Sequence, residues 1–414
     1  MKKIVLLWVL LLQVSCSQQD NVELVCEDSV SNYQKRRTLD EIIDIATYAA
    51  SIGENSRSTS RKIKDIRIVS SSVSRSLNDT LIYAVNYENN EGFALISALN
   101  TVEPILAITD QGEYGSAKSL SNPGMKHYIS AAENYIASSA DRDVICKLSS
   151  IPQINLIRPR LLNVEWGLKW PEGMFCPNGN PGCAIVAIAQ VLSYFETPTE
   201  LVLTYPEKDI DTLSLDWDEL TGHRVSWNIA CTDTTAINAH YSSCNANQDI
   251  HYALGRLCRE LGHRANATYG EDGGSSTYDF KSLALLDSFI GNNAVNPETI
   301  MPLEYYMERG YIAIIRGTHE QGVTGHMWVA DGYFEEKGTV YYGIVYDEET
   351  GTYKRVEFET LPVRYVHFNW GWGGDCNGFF NCGVYDTQQG KWYDYDSDYD
   401  IDYSYDVGFW LFKK

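Results

Sequence analysis

Four side chains in this sequence have types that could together perform thiol chemistry on an amide bond: Cys183, His326, Asn369 and Trp370. A thiolate is a nucleophile, an imidazole accepts and donates protons near neutral pH, and an amide or indole can orient the imidazole ring. Each of these residues also has an ordinary structural role as an alternative. Whether they form one site therefore depends on the helices and strands that position them.

Cys183 stands at the predicted start of a buried helix. The residues from Cys183 to Phe195 are apolar on every side, which is typical of a helix inside a protein core. Pro181 and Gly182 break regular structure immediately before it. Unpaired N–H groups and the positive end of the helix dipole at that position favour a thiolate over a thiol. For a Gly-Cys pair taken alone, the alternative is a small cysteine in the core.

His326 follows Gly325 and begins a second apolar stretch, which predicts a buried strand. Asn369 and Trp370 end another predicted strand, which begins near Tyr365 and runs into a turn rich in tryptophan and glycine. Taken alone, His326 fits a hydrogen-bonded core histidine, and the turn residues fit packing. The order cysteine, histidine, then Asn-Trp is nevertheless the chain order of papain-like thiol enzymes.

The chain divides into two predicted units. Residues 22–140 form the first and smaller unit, residues 141–160 a linker, and residues 161–414 the second unit. The linker contains the predicted cleavage points Lys147, Arg158 and Arg160. In the first unit the pattern predicts one helix after a capping box at Thr38 and another over Pro123–Ser138. It predicts three strands, over Leu81–Tyr87, Gly92–Ser97 and Ile105–Thr109. Between the first helix and these strands it predicts a loop over Ser56–Ser76. In the second unit it predicts helices over Ile250–Leu261 and Phe280–Phe289, a strand over Tyr311–Arg316, and a hairpin over Tyr341–Glu357 that shapes one rim of a cleft.

The composition argues against several classes of function. A net charge of -22 and a pI near 4.7 argue against nucleic acid as a partner, because phosphate binding requires clustered cations. The loop Tyr269–Ser276 lacks the lysine and spacing of a phosphate-binding loop. We expect no cofactor and no metal. Calcium binding by the acidic and aromatic tail Tyr393–Tyr403 is a minor alternative, since the tail lacks the glycine and distal glutamate of an EF-hand loop.

Residues 1–16 have the pattern of a lipoprotein-type signal peptide that ends at Cys16. Two lysines precede the apolar run Ile4–Leu12, which is too short to span a bilayer. The site resembles a bacterial lipoprotein cleavage site, although Gln13 stands where leucine is usual. We favour lipid attachment at Cys16 and anchoring to the outer membrane or cell surface, with ordinary secretion as the alternative. Both place the mature chain outside the cytoplasm.

Eight further cysteines suit an oxidising compartment, and we expect structural disulfide pairing among them. The sequence does not assign their partners. They are Cys26, Cys146, Cys176, Cys231, Cys244, Cys258, Cys376 and Cys382.

Together these stretches resemble the streptopain family of bacterial cysteine peptidases. The likeness rests on Gly182-Cys183 with Ala189-Gln190, on Gly325-His326 with Asp331-Gly332-Tyr333, and most specifically on the string Asn-Trp-Gly-Trp-Gly-Gly from Asn369 to Gly374. Leu215-Asp216-Trp217 and the loop Tyr269–Ser276 also fit the family's pattern. The first unit is similar to the family's inhibitory prodomain in Arg37–Glu41 and Gly92–Ser97.

This resemblance implies an α+β fold, with a papain-like peptidase domain over residues 161–414 and a smaller α+β inhibitory prodomain over residues 22–140. The chain would be made as a zymogen and activated by cleavage in the linker. Cys183 would be the nucleophile and His326 the general acid and base, while Asn369 and Trp370 would orient and shield the histidine. The implied substrate-binding residues are Trp372, Gly182, Gly325, Ser275 and Ser276. The expected partners are protein or peptide substrates, the chain's own prodomain and, through Cys16, a membrane.

One position departs from the family's pattern. Leu168 stands where the family has a glutamine whose side-chain amide donates to the oxyanion, and the following Glu172-Gly173 also differs from the usual Tyr-Asn. Loss of one such donor typically costs about a hundred- to a thousand-fold in rate. Three outcomes remain open: a slow enzyme, a donor recruited from Asn178 or Asn180, or an inactive surface binding protein with the same fold. Acyl or amide transfer by the same thiol chemistry is a further alternative.

Overall fold

The fold is described from a computed structural model of the chain. It covers residues 23–25, 35–52, 61–69, 80–140, 142, 144–148, 154–222, 248–295, 301–317, 325–337, 339–347, 352–358, 362–384 and 408–414. The predicted lipid-anchor residue Cys16 and the acidic tail Tyr393–Tyr403 lie outside these residues, as do Cys26, Cys231 and Cys244.

The described part of the chain contains helices and strands in both halves, as an α+β fold requires. The helices are α1 (Leu39–Ser51), α2 (Ala117–Ser121), α3 (Pro123–Ser138), α4 (Cys183–Phe195), α5 (Trp217–Gly222), α6 (Gln248–Arg264), α7 (Asp279–Ile290) and α8 (Leu303–Glu308). The strands of the first part are β1 (Glu23–Val25), β2 (Ile63–Val69), β3 (Ile82–Tyr87), β4 (Phe93–Ser97), β5 (Ile105–Thr109), β6 (Val144–Leu148) and β7 (Ile154–Arg158). The short strands that follow are β8 (Glu200–Val202), β9 (Thr212–Ser214), β10 (Thr268–Tyr269), β11 (Ser275–Ser276) and β12 (Ala294–Val295). The remaining strands are β13 (Ile312–Gly317), β14 (His326–Glu336), β15 (Thr339–Asp347), β16 (Thr352–Phe358), β17 (Val363–Asn369), β18 (Gly378–Asn381) and β19 (Gly408–Phe412).

One antiparallel sheet runs through both predicted units. Its strand order is β12-β19-β13-β14-β17-β18-β5-β4-β3-β2, and β7 pairs with the second half of β14. The two units meet where β18 pairs with β5, with Gly378 opposite Thr109. A side chain at Gly378 would overlap the backbone of Ile108 and Thr109, so a glycine is required at this junction. The first predicted unit is therefore joined to the second by backbone hydrogen bonds as well as by side chains.

Three apolar cores hold the elements in place. The first joins prodomain residues such as Met125 and Tyr128 to Trp328, Trp370 and Phe380 of the second unit. The second surrounds α4, which packs against β14, α6 and α7. The third lies between α1 and the sheet. Because the first core is shared, burial of apolar surface, the main stabilising term in folding, also fastens the prodomain.

Several predicted elements agree closely with the structure. Helix α1 begins with the predicted capping box, in which Thr38 and Glu41 exchange hydrogen bonds between side chain and backbone. Helix α3 has the predicted bounds, with Pro123 at its first turn and Asn122 as its cap. Strand β5 also has the predicted bounds, and α4 begins at Cys183 as expected.

Other expectations were wrong. Residues Ile63–Val69, predicted as loop, form the edge strand β2. The predicted linker contains two strands, β6 and β7, because their backbones pair with β15 and β14. The hairpin of β15 and β16, expected at a cleft rim, lies outside the large sheet that carries His326 and Asn369. It makes a separate four-stranded sheet with β1 and β6, and Tyr341 donates a hydrogen bond to Glu103 of the prodomain.

The expectation of disulfide pairing is also wrong within the described residues. Cys146, Cys176, Cys258 and Cys382 are not in disulfide bonds, and the thiol of Cys376 donates to Asp375 at 3.4 Å. Among the helices that the structure describes, none has both the length and the apolar composition needed to cross a bilayer.

Candidate active site

Cys183 is the first residue of α4 and is partly exposed. Gly182 precedes it with a φ of 92°, a left-handed conformation that favours glycine. The N–H of Gly182 donates to the side chain of Asn180 at 2.9 Å, which holds the turn into the helix. The N–H groups of Met327 and Ala184 lower the pKa of the Cys183 thiol, and Cys183 packs on the apolar core that includes Met327. Since Met327 directly follows His326, the thiol lies against the start of β14.

The pKa of the Cys183 thiol is raised above its ordinary value. Desolvation is the main cause and the carboxylate of Asp279 adds to it, while the N–H groups of Met327, Ala184 and Cys183 itself act in the opposite direction. The predicted thiolate at the helix N-terminus is therefore not stabilised in the full chain. Burial outweighs the helix dipole here.

His326 is the first residue of β14 and is 5 % exposed. Its Nε2 lies 2.9 Å from the main-chain carbonyl oxygen of Trp370. A carbonyl only accepts, so Nε2 holds the proton and Nδ1 is the basic nitrogen of the neutral ring. Trp328 is nearly parallel to the ring at 6.0 Å, and Trp372 meets it edge-on at 6.2 Å. Burial lowers the pKa of His326 to about 4, which the bond to Trp370 only partly offsets.

Trp370 and Asn369 differ in their relation to His326. Trp370 contacts the imidazole through its backbone carbonyl, and its own indole N–H donates to the carbonyl of Cys376 at 2.9 Å. The amide of Asn369 donates to the carbonyl of Val164 at 2.8 Å, and its oxygen accepts from Gln190 at 3.0 Å. The observed orienting bond thus comes from the main chain of Trp370, whereas the Asn369 amide ties α4 to the segment before Trp166.

Leu168 replaces the glutamine that would donate to an oxyanion, so the other candidate donors must be considered. Leu168 packs on the same apolar core as Cys183 and offers no side-chain donor. The amide of Asn178 donates to the carbonyls of Gly270 and Gly274, and that of Asn180 donates to the carbonyl of Gly273. Both amides hold the glycine-rich loop, so neither fits the role of a recruited oxyanion donor. The remaining candidate donor is the backbone N–H of Cys183.

The predicted substrate-binding residues of the glycine-rich loop lie beside Cys183. A Cβ at Gly182 would meet Ser275 at 3.4 Å, so the two chain segments are in contact. The hydroxyl of Ser275 donates to the carbonyl of Asn180 at 2.7 Å, which fixes the position of β11. Ser276 is exposed on the edge of the two-stranded sheet β10–β11. Gly325 directly precedes His326 and is partly exposed, and Trp372 is also partly exposed beside the imidazole.

Sequence reasoning missed the role of Glu172, which it noted only as a departure. Its buried carboxyl accepts from the N–H of Gly167 at 2.9 Å and so holds the turn that includes Leu168. Burial raises the pKa of Glu172 to about 8. The pattern of apolar residues in the sequence does not indicate that the carboxyl of Glu172 is buried beside this turn.

The prodomain helix α3 lies over side chains of the candidate site. Gly124 is packed so closely on Trp370 that a Cβ there would overlap the indole ring. The ring of His127 lies 6.2 Å from that of Trp328 and close to Gly317, which pairs with His326 across the sheet. The α3 helix therefore contributes to the burial of His326.

A second buried histidine joins the prodomain to the peptidase part. Nδ1 of His367 lies 2.6 Å from Asp331, and its Nε2 lies 3.0 Å from Asp110 of the prodomain. Burial alone would lower the pKa of His367, but the attraction of Asp331 and the hydrogen bonds to both carboxylates raise it to about 10. Arg160 adds a contact of 3.6 Å to Asp110 and one of 3.2 Å to Glu165.

Comparison with known proteins agrees with this architecture. Residues 166–380 match the sequence model of the peptidase C10 family, and residues 48–136 match that of the Spi protease inhibitor. The structure of a fragment of Prevotella intermedia prointerpain A, in which a cysteine is mutated to alanine, is similar with a TM-score of 0.50 and 19% identity, covering 84% of this chain and 97% of that one. The active interpain A cysteine protease of the same organism matches with a TM-score of 0.32 and 22% identity, over 54% of this chain and 85% of that one. No curated protein gives a significant match.

Proposed function

Because this chain belongs to the peptidase C10 family and has an inhibitor-type prodomain, we propose that it is an extracytoplasmic cysteine endopeptidase made as a zymogen. In this proposal Cys183 is the nucleophile and His326 the general acid and base. The observation that supports it most is the hydrogen bond from His326 Nε2 to the Trp370 carbonyl, at the start of the strand against which the Cys183 helix packs.

The proposed reaction uses the tautomer that this bond favours. His326 Nδ1 takes the proton of the Cys183 thiol, and the sulfur attacks the carbonyl carbon of the scissile amide. The C–N bond breaks as the imidazolium returns its proton to the leaving amine, which leaves an acyl-enzyme. Water then gives a proton to Nδ1 and attacks the thioester, and the thiol recovers its proton on release of the acid. The Cys183 N–H is the candidate donor to the oxyanion.

The full chain is the latent form in this proposal. A neutral thiol and a neutral imidazole are the resting states near pH 7, because the pKa of Cys183 is raised and that of His326 is lowered. Helix α3 supports this state by covering Trp370 and excluding water from the histidine. Its removal after cleavage within residues 141–160 would hydrate the pair and favour the thiolate–imidazolium form.

Leu168 favours a second candidate, a surface binding protein with weak or no turnover. The substitution Leu168→Gln separates the two candidates. If lack of a donor limits an otherwise competent site, the variant should hydrolyse peptides about a hundred-fold faster than the parent chain. No gain, with no hydrolysis by the parent, would favour the binding protein. Leu168→Met, which keeps an apolar side chain of similar volume, is the matched control.

We further propose that Cys16 is lipidated and anchors the mature chain outside the cytoplasm, as the first sixteen residues suggest. Metabolic labelling with a fatty acid checks this directly. Label should enter the parent chain and be absent from Cys16→Ser. Equal labelling of both chains would contradict the assignment.

The first test of the proposed function is alkylation of Cys183 by iodoacetamide at mildly acidic pH, read by peptide mass spectrometry. An ordinary thiol, with a pKa of about 8.5, is nearly all protonated there and reacts slowly. We expect slow labelling in the intact zymogen and fast labelling after cleavage of the linker, lost in His326→Ala. Labelling of the matured chain no faster than an unperturbed thiol would overturn the peptidase proposal.

A further inference from the structure

Gln190 is a fully buried polar side chain in the middle of α4, the helix that begins at Cys183. Its amide nitrogen donates to the side-chain oxygen of Asn369 at 3.0 Å and lies 3.4 Å from the carbonyl oxygen of Trp166. Within the described part of the chain, no group donates to its own side-chain oxygen. Because burial of an amide with an unpartnered oxygen is unfavourable, stability alone does not explain a glutamine at this position.

Asn369 connects Gln190 to the backbone of the turn after β17. The side-chain oxygen of Asn369 also accepts from the N–H of Gly371 at 3.2 Å, and its amide nitrogen donates to the carbonyl of Val164 at 2.8 Å. A flipped Asn369 amide would place its own N–H groups against the donors of Gln190 and Gly371. The two donors therefore fix which way the Asn369 amide faces.

The N–H of Gly371 and the carbonyl of Trp370 belong to the same peptide group. This group is planar and trans, so its N–H and its C=O point in opposite directions. The N–H is held by Asn369, and the carbonyl oxygen lies 2.9 Å from Nε2 of His326. Rotation of the peptide away from Asn369 would therefore also turn the carbonyl away from the imidazole.

Other contacts prevent this turn from shifting as a whole. The N–H of Trp370 donates to the side-chain oxygen of Asn377 at 3.0 Å. Gly371 has a φ of 66°, which favours glycine, and a Cβ at this position would meet Val186 of α4 at 3.3 Å. The remaining freedom is rotation of the peptide plane, and the contact with Asn369 restrains this rotation.

We propose that Gln190 is a positioning residue for His326. It holds the oxygen of Asn369, which fixes the Trp370–Gly371 peptide and thereby keeps the proton of the neutral imidazole on Nε2. The consequence for catalysis rests on the proposed peptidase function, because it requires Nδ1 to take the proton of Cys183. The effect on the position of the imidazole proton does not rest on that function.

The tautomer of His326 tests the proposal without turnover, in the full-length Cys183→Ala chain at pH 7, where burial keeps the ring neutral. Two-bond ¹⁵N–¹H correlation spectra distinguish Nε2–H from Nδ1–H, and loss of the signal in His326→Ala assigns it. The Nε2–H form should dominate. Gln190→Met, which removes the donor, should lower the ratio of Nε2–H to Nδ1–H about five-fold, as expected for loss of one hydrogen bond. Ser193→Ala removes a buried hydroxyl that donates to the main-chain carbonyl of Gln190 at 2.6 Å, and should leave the ratio unchanged.

Gln190→Glu separates hydrogen bonding from packing, with all chains compared at pH 5. A buried carboxyl at this position is protonated at that pH and donates to Asn369, so the ratio should return to that of the chain with Gln190. An unchanged ratio in Gln190→Met, or a changed ratio that Gln190→Glu does not restore, would overturn the proposal. Gln190→Leu replaces the methionine variant if that variant does not fold, since leucine is also apolar and favours helices.

The consequence for catalysis is measured in the matured chain with Cys183 intact. Gln190→Met should lower kcat about ten- to a hundred-fold with KM nearly unchanged, because the buried residue acts on the geometry of proton transfer and does not reach the substrate. Ser193→Ala should behave like the parent chain. An unchanged kcat in Gln190→Met would overturn the positioning role. Failure of the parent chain to cleave any peptide would instead overturn the proposed function, while the tautomer ratio would still decide whether Gln190 fixes His326.

Discussion

Two buried histidines lie on neighbouring strands of one sheet, yet their pKa values move in opposite directions. His326 on β14 is 5 % exposed and its pKa is lowered to about 4. His367 on β17 is 1 % exposed and its pKa is raised to about 10. Burial acts against the charged form at both positions. The difference arises because His367 has a carboxylate at each ring nitrogen, whereas His326 donates to a neutral carbonyl.

This difference matches two different tasks. A proton-transfer residue must be able to gain and lose a proton, and a neutral partner such as the Trp370 carbonyl orients the ring without holding it in the charged form. A fixed cation between Asp331 and Asp110 is unsuited to proton transfer but can join two parts of a protein. The comparison therefore separates the proposed catalytic histidine from one that joins two parts of the chain, and it leads to predictions about both.

The largest expected effect is on catalysis and concerns His326. His326→Ala should lower kcat of the matured chain by about a hundred- to ten-thousand-fold, which is the usual contribution of general acid–base catalysis. The stability of the full-length chain should change little, since His326 is neutral there and its hydrogen bond is to one carbonyl. Peptide hydrolysis and thermal unfolding measure the two effects. His367→Ala is the contrasting variant. If His326→Ala lost its activity together with a loss of stability large enough to explain it, the assignment of different roles to the two histidines would be wrong.

The second effect is on stability and concerns Asp331. Asp331→Asn leaves His367 charged and buried with one carboxylate fewer, which should lower the free energy of unfolding by about 3 kcal/mol. The folded pKa of His367, about 10, lies above its unfolded value of about 6.5, so its contribution is complete below pH 6.5 and is lost as the pH rises to 10. Urea unfolding should thus show a large difference between variant and parent at pH 6 and a smaller one at pH 9.5.

A control separates this effect from the general loss of a carboxylate. Asp211→Asn removes an aspartate that is 91 % exposed and paired with Lys208, and it should leave stability unchanged. A difference between Asp331→Asn and the parent that stays constant from pH 6 to pH 9.5 would contradict the assignment of a charged His367.

The third effect concerns the contact that buries His326. Gly124→Ala should raise the intrinsic stability of α3, because alanine is the better helix former by about 1 kcal/mol, but its methyl group overlaps Trp370. Such overpacking costs about 1–3 kcal/mol, so the alkylation rate of Cys183 in the intact chain should rise about ten-fold or more. Lys126→Ala, on the exposed side of the same helix, should leave this rate unchanged. If both variants behave alike, α3 does not cover the site as proposed.

Local features were easier to predict from the sequence than contacts between distant segments. Local signals such as the capping box at Thr38 and the glycine before Cys183 act over a few residues, so they could be recognised without the fold. The partners of His367 could not, because Asp110 and Asp331 are far apart in the chain and meet only where β5, β14 and β17 share one sheet. The raised pKa of Cys183 was missed for the same reason. Its desolvation depends on packing between elements, which the sequence of one helix does not contain.

The smallest expected effect concerns Asp110, which lies on the prodomain side of His367 with 21 % of its side chain exposed. Its partial exposure allows water to replace some of the lost interaction, so Asp110→Asn should speed dissociation of the prodomain after linker cleavage by only about three- to ten-fold at pH 6. Burial would raise the pKa of Asp110, but the hydrogen bond and charge of His367 outweigh it and lower the pKa. The contribution of Asp110 is therefore present above the ordinary carboxyl pKa of about 3.9 and is lost as the pH falls further.

Dissociation followed by size-exclusion chromatography should show a difference between variant and parent at pH 6 that disappears well below pH 4. Asp44→Asn on the exposed face of α1 is the control in the same domain. A variant that dissociates like this control at pH 6 would show that Asp331 alone stabilises the His367 cation, and that the shared apolar core holds the prodomain without help from this charge.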